Sequence, residues 1–112
     1  MNRDSLRLTA ILNCHDRPRD ALAPAAEAAL RGGVTCLQLR GKGLPGGDLA
    51  EAVRVLLPVC RRFAVPLILN DRPDVARAAG ASGAHVGPDD LPPHAAREIL
   101  GAGILGVSAR TA

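Results

Sequence analysis

Gln38, Arg40 and Lys42 stand at alternate positions in the stretch CLQLRGKG, residues 36–43. Side chains alternate across an extended chain, so these three share one face and Leu37 and Leu39 take the other. An amide and two cations side by side suit the oxygens of a phosphate or diphosphate. Lys42 is the single lysine in a chain with 13 arginines, and it lies between Gly41 and Gly43. A compact ammonium on a flexible stem suits such a loop as a phosphate contact. The plainer reading is a solvated loop residue. Asn70-Asp71, Asp89-Asp90 and Ser108 each follow another short apolar run. Carboxylates next to cations would repel a bare phosphate, but they suit a hard divalent cation that bridges the two. Mg²⁺ is usually held by one or two carboxylates plus substrate phosphates. Asp71 and Asp90 are therefore candidate Mg²⁺ ligands. Gln38, Arg40, Lys42, Asn70 and Ser108 are candidate substrate contacts. The competing readings are helix capping by Asp71, Asp89 and Asp90, and an exposed sheet edge for Gln38 and Arg40.

Other chemistries find little support. There is no G-x-G-x-x-G, no phosphate-binding P-loop and no G-x-S-x-G, and the GKG around Lys42 lacks Walker spacing. His15 and His94 read as loop residues without metal-ligand spacing. His85, alone on an apolar run, reads as a satisfied core histidine. No nucleophile is placed beside a base.

The elements that must position these groups follow from hydrophobic patterning. Residues 8–12, 34–39, 65–69, 83–86 and 104–107 are short apolar runs, several nearly continuous, as buried parallel strands are. Amphipathic helices are expected between them. One runs from near Asp20 to Gly32-Gly33, with Pro24 in its first turn. A second starts at Asp48, with Glu51 three residues on as in a capping box, and Pro58 is expected to kink it or end it early. A third has Pro73 at its start and Gly80 after it. A fourth has Pro92-Pro93 at its start and Gly101 after it. The order β-α-β-α-β-α-β-α-β implies a parallel sheet with right-handed crossovers. Two architectures fit: a five-stranded doubly wound sheet, or the first five strands of a TIM (β/α)8 barrel. The length favours the first and the polar strand ends the second.

The chain has 112 residues, 47% apolar and 22% charged, with one aromatic, Phe63. That bounds it to one domain, residues 1–112, whose core is built from Leu, Val, Ile and Ala. A net charge of +3 with scattered basic residues and no aromatics for base stacking argues against nucleic-acid binding. Cys14, Cys36 and Cys60 are odd in number and form no CxxC pair; two of them sit in apolar stretches, which suggests small buried hydrophobes in a reducing compartment. The polar start and the absence of a long apolar run make the expectation cytoplasmic, with no membrane partner.

QLRGKG, LILNDRPDVARAAGASGAHVGPDDLP and ILGVSART, in order and register from about Val34 onward, resemble the thiamine-phosphate synthases. The N-D-R-x-D-x-A block from Asn70 and the G-A-x-G-x-H-x-G and D-L-P that follow carry most of the likeness. The resemblance implies a TIM barrel and Mg²⁺-dependent coupling of hydroxymethylpyrimidine diphosphate to a thiazole phosphate, with release of pyrophosphate. It implies that Gln38, Arg40 and Lys42 hold the pyrimidine diphosphate, that Asn70 and Ser108 contact it, and that Asp71 and Asp90 ligate Mg²⁺. The chain departs from the family pattern at Gly41, where Glu is common, at Pro88 in place of Gln, and at Arg110 in place of His. It also has LTAIL where the first strand is usually aromatic-rich. The expectation is a truncated barrel that lacks the thiazole phosphate loops of strands six to eight. Such a chain has little or no activity alone and self-associates through its open edges. The alternatives are a thiazole tautomerase of the same superfamily, a non-catalytic diphosphate-binding fragment, and a receiver-like signalling domain with Asp71 after its third strand.

Overall fold

The computed structural model describes residues 8–14, 17–87 and 90–108. Five strands form one parallel sheet: β1 (Thr9–Asn13), β2 (Cys36–Arg40), β3 (Leu67–Asn70), β4 (Gly83–Val86) and β5 (Ile104–Val107). Four helices connect them: α1 (Leu22–Arg31), entered through a 3-10 turn at Arg19–Ala21, α2 (Gly46–Arg62), α3 (Pro73–Ala79) and α4 (Pro93–Leu100).

The strand order is β1-β2-β3-β4-β5, without a reversal. A doubly wound sheet reverses its order at a switch point, and a receiver-like domain has a non-sequential order, so both readings are overturned. The helices pack against one another in chain order, and one core holds them to one side of the sheet. Leu12, Leu37, Leu39, Leu67, Leu69 and Ala84 supply that face and meet Leu30, Leu56, Val75 and Leu100 from the four helices. Leucine dominates because no buried aromatic is available to fill the space. Cys14, Cys36 and Cys60 are buried thiols. No helix among the described residues is long and apolar enough to cross a membrane.

The opposite face carries the residues of the other parity. One cross-strand row runs Ile11, Gln38, Ile68, Gly83, Ile104. A second, towards the carboxyl ends, includes Arg40, Asn70, His85 and Gly106. Gly83 is required where it stands, because a Cβ there would lie 1.9 Å from the Ile104 carbonyl oxygen and push β5 off β4.

Element boundaries depart from the sequence expectation where proline sets them. β3 begins at Leu67, two residues late, because Pro66 has no N–H and the Val65 N–H closes the end of α2 on the Cys60 carbonyl at 3.0 Å. α2 begins at Gly46 with Pro45 as its N-cap and no side-chain cap. The expected Asp48–Glu51 capping box is therefore absent. Both carboxylates lie near Arg19, at 3.9 and 3.8 Å, and Glu51 accepts a hydrogen bond from Arg54 at 3.1 Å. The expected early end at Pro58 does not occur, and the helix runs on to Arg62. Pro58 and Arg54, whose carbonyl loses its partner, both face solvent, where water can take the bond. Pro73 and Pro93 open α3 and α4 as expected, and Gly80 ends α3 at φ 84°.

Candidate functional site

The carboxyl ends of the five strands enclose a cleft of about 500 Å³. Gln38 and Arg40 reach it from β2, and Lys42 from the turn that follows. Asn70 ends β3 and Asp71 comes next; both line the cleft, as does Asp90 from the β4–α4 connection. Ser108, just past β5, closes the far side. All seven candidate residues thus border one space. Asp89, His15 and Arg110 lie outside the described residues.

Close packing aims the β2 strand end. A Cβ at Gly41 would stand 2.4 Å from Leu49 Cδ2 and 2.7 Å from Cys14 Sγ. Glycine lets those two side chains meet beneath the turn and leaves Arg40 and Lys42, both exposed, on the cleft side. Lys42 also borders a second hollow of about 250 Å³ with Gly43, Leu44 and Arg72, so its flexible stem has room on both sides of the turn.

Asp71 holds a left-handed backbone at φ 74°, uncommon for a residue with a side chain. Its N–H donates to the His85 carbonyl at 2.7 Å, which fixes the bend that turns the carboxylate into the cleft. The capping alternative fails for both acids. α3 and α4 have Arg72 and Pro92 as N-caps, with no side-chain cap bond at either. Asp90 instead accepts the Gly87 N–H on Oδ2 at 2.6 Å, closing its own loop. Burial raises the Asp71 carboxyl above its ordinary pKa, and a hydrogen bond and charge repulsion from Asp90 raise it further. Lys42 and Arg40 pull it back down. Two acids in contact, faced by two cations, can bind a shared proton or a hard cation.

His85 was read from the sequence as a core residue. It lines the cleft, half-buried, with Nε2 2.6 Å from Ser108 Oγ. Its signal lay in strand parity, two residues before Gly87 on the face of β4 that also carries Gly83. Ile11 borders the cleft as well and was read only as part of an apolar run. His94, expected in a loop, lies exposed in the first turn of α4.

A family model described as thiamine monophosphate synthase matches residues 8–112. The thiamine-phosphate synthase of Roseiflexus sp. (strain RS-1) is 50% identical over 92 residues, which cover 81% of this chain and 39% of the relative. Thiamine-phosphate synthase 2 of Streptococcus pneumoniae is 39% identical over 112 residues, covering 99% of this chain and 53% of the relative. The solved structure of a thiamine phosphate pyrophosphorylase from Pyrococcus furiosus superposes with a TM-score of 0.80 at 30% identity, covering 96% of this chain and 52% of that one. The chain spans about half the length of these relatives.

Proposed function

The chain belongs to the thiamine monophosphate synthase family, and we propose that its cleft is the pyrimidine diphosphate half of a thiamine-phosphate synthase site. On the same reading, the sheet is the first five strands of a (β/α)8 barrel. The sequential strand order and the one-sided helices support it, since such a barrel winds its units about one axis without reversal. The thiazole phosphate side then lies in the half of the relatives that this chain does not match.

The observation that carries the proposal is the meeting of Arg40 and Lys42 with Asp71 and Asp90 on one cleft. Arg40 and Lys42 donate charge-assisted hydrogen bonds to diphosphate oxygens. Gln38, one step deeper on β2, faces the pyrimidine end. Asn70 offers its amide and Ser108 its hydroxyl to the same ligand. Asp71 and Asp90 fit Mg²⁺, because positive charge between them offsets the desolvation and repulsion that raise the Asp71 pKa. Among the described residues no third acid, cysteine or histidine groups with them, which suits a cation that completes its shell with phosphate and water. Once held there, Mg²⁺ would offset charge on the departing pyrophosphate. The electron-rich pyrimidine carries the developing positive charge, so no protein nucleophile is needed. The residues of this chain bind and orient the diphosphate and stabilise its negative charge as it leaves.

Calorimetry with inorganic pyrophosphate and Mg²⁺ tests this reading. Binding is expected in the unsubstituted chain, and its Mg²⁺-dependent part is lost in both Asp71→Asn and Asp90→Asn. Unchanged binding in both variants rejects the metal site. The 112-residue chain alone is expected to show little or no coupling of the two substrates. Turnover by the purified chain at rates typical of enzymes would overturn that.

A further inference from the structure

His85 is tied to both sides of the cleft. Its carbonyl accepts the Asp71 N–H at 2.7 Å, and its ring reaches Ser108 Oγ through Nε2 at 2.6 Å. The ring has little freedom to leave that position. His85 pairs with Gly106 across β4 and β5, and a Cβ on residue 106 would lie 2.5 Å from Nδ1 and 3.4 Å from Cγ. The imidazole therefore turns its Nδ1 edge to the bare backbone of Gly106, two residues before the serine it touches. Nδ1 faces the place a side chain at 106 would fill, and no hydrogen bond to it is made by the described residues. A proton on Nδ1 would be an unmet donor in a half-buried place, whereas a proton on Nε2 has Ser108 as its acceptor. The tautomer decides what the serine can do. If Nε2 carries the proton, Ser108 accepts from the ring, and its own O–H is released to donate into the cleft. If Nε2 were bare, it would take the hydroxyl proton for itself, and Ser108 would present only lone pairs to an anion.

We propose that His85 is a positioning residue: its Nε2–H, held by packing on Gly106, orients the Ser108 hydroxyl as a donor to the diphosphate oxygens in the cleft. This rests on the reading of the cleft as a diphosphate site. It makes the glycine at 106 part of the site, through the ring it admits, although glycine itself contacts no ligand.

The test is pyrophosphate affinity with Mg²⁺ in four variants of the 112-residue chain, with ring-nitrogen NMR on the unsubstituted chain. Ser108→Ala and His85→Leu are each expected to weaken binding by roughly tenfold, the loss of one hydrogen bond to a charged group. The double variant is expected to be no weaker than Ser108→Ala, because both changes remove the same donor. His85→Gln, whose amide can donate from nearly the same place, is expected to recover most of the loss. The NMR spectrum is expected to show the proton of neutral His85 on Nε2. Additive losses, full affinity in His85→Leu, or a proton on Nδ1 would overturn the inference. If His85→Leu does not fold, His85→Asn takes its place: the amide is too short to reach Ser108 and is expected to lose the same tenfold. Binding that survives with an Nδ1 proton defeats this inference alone. No binding of pyrophosphate by the unsubstituted chain defeats the reading of the cleft and this inference with it.

Discussion

At Asp71 the backbone and the charge are both held away from their comfortable states. Its φ of 74° is forced, and its carboxyl is desolvated against a second acid. Strain of this kind persists where the surroundings over-determine it, and it collects at sites of function. Because the folded pKa is raised, the native state holds its proton to higher pH than the unfolded chain does. Stability without divalent cations is therefore expected to fall as pH rises from about the ordinary carboxyl value of 3.8 through the raised folded pKa. Asp71→Asn should remove that part of the slope. Asparagine tolerates the left-handed backbone, so the metal-free variant should melt higher at neutral pH by roughly 2–5 °C. Thermal unfolding across a pH series in chelator measures both effects; a variant that melts lower, or that keeps the slope, contradicts the argument. The polar cleft residues were legible in the sequence because period-two alternation and strand ends place them by counting. The role of His85 was not, since a histidine on an apolar strand shows neither its ring orientation nor its partner. Gly106, the residue that admits the ring, lies 21 positions away and is joined to it only by register.

Between residue and fold, glycine and proline decide where elements start and how closely they approach. The existence of the nine described β and α elements could be read from hydrophobic runs and their punctuation. The start of α2 could not: Asp48 and Glu51 have cap-like spacing, but Pro45 already begins the helix, and Glu51 accepts a hydrogen bond from Arg54 at 3.1 Å. Cap spacing is a local signal, and it does not show that the proline-led turn before it has already started the helix. Gly41 is the clearest case of an element aimed by a missing side chain. Gly41→Ala would put a methyl against Leu49 and Cys14. Those are side chains, so the core can yield, at a cost of about 1–3 kcal/mol. In urea the midpoint of unfolding should fall with little change in slope. The same shift displaces the β2 end, so pyrophosphate affinity should fall as well. A variant with unchanged midpoint and affinity would mean that the turn adapts without moving Arg40 or Lys42.

The sheet as a whole has one satisfied face and one that is half-used. The described helices cover one side, while the other presents Ile11, 57% exposed, with Ile68, buried, beyond Gln38 and the polar cleft. Alternation within strands was enough to sort residues onto two faces, but not to say whether helices covered both. The strand order settles that, and order depends on crossovers longer than any local pattern reports. Among the described residues β1 pairs only with β2 and β5 only with β4, which leaves an unpaired ladder of N–H and C=O groups at each edge. Leu8 and Val107 lie at those edges, 51% and 47% exposed. Parallel edges with apolar side chains are templates for pairing with another chain, and edge lysines are a common means of blocking it. The 112-residue chain is therefore expected to associate with itself as concentration rises. Leu8→Lys with Val107→Lys should shift it towards monomer while leaving the core untouched, since neither side chain is buried. Sedimentation velocity over a hundredfold concentration range measures this. A monomer at every concentration before substitution would mean that the open edges are already protected. Association undiminished by both lysines would place the contact on another surface, with the apolar inner face around Ile11 the next to alter.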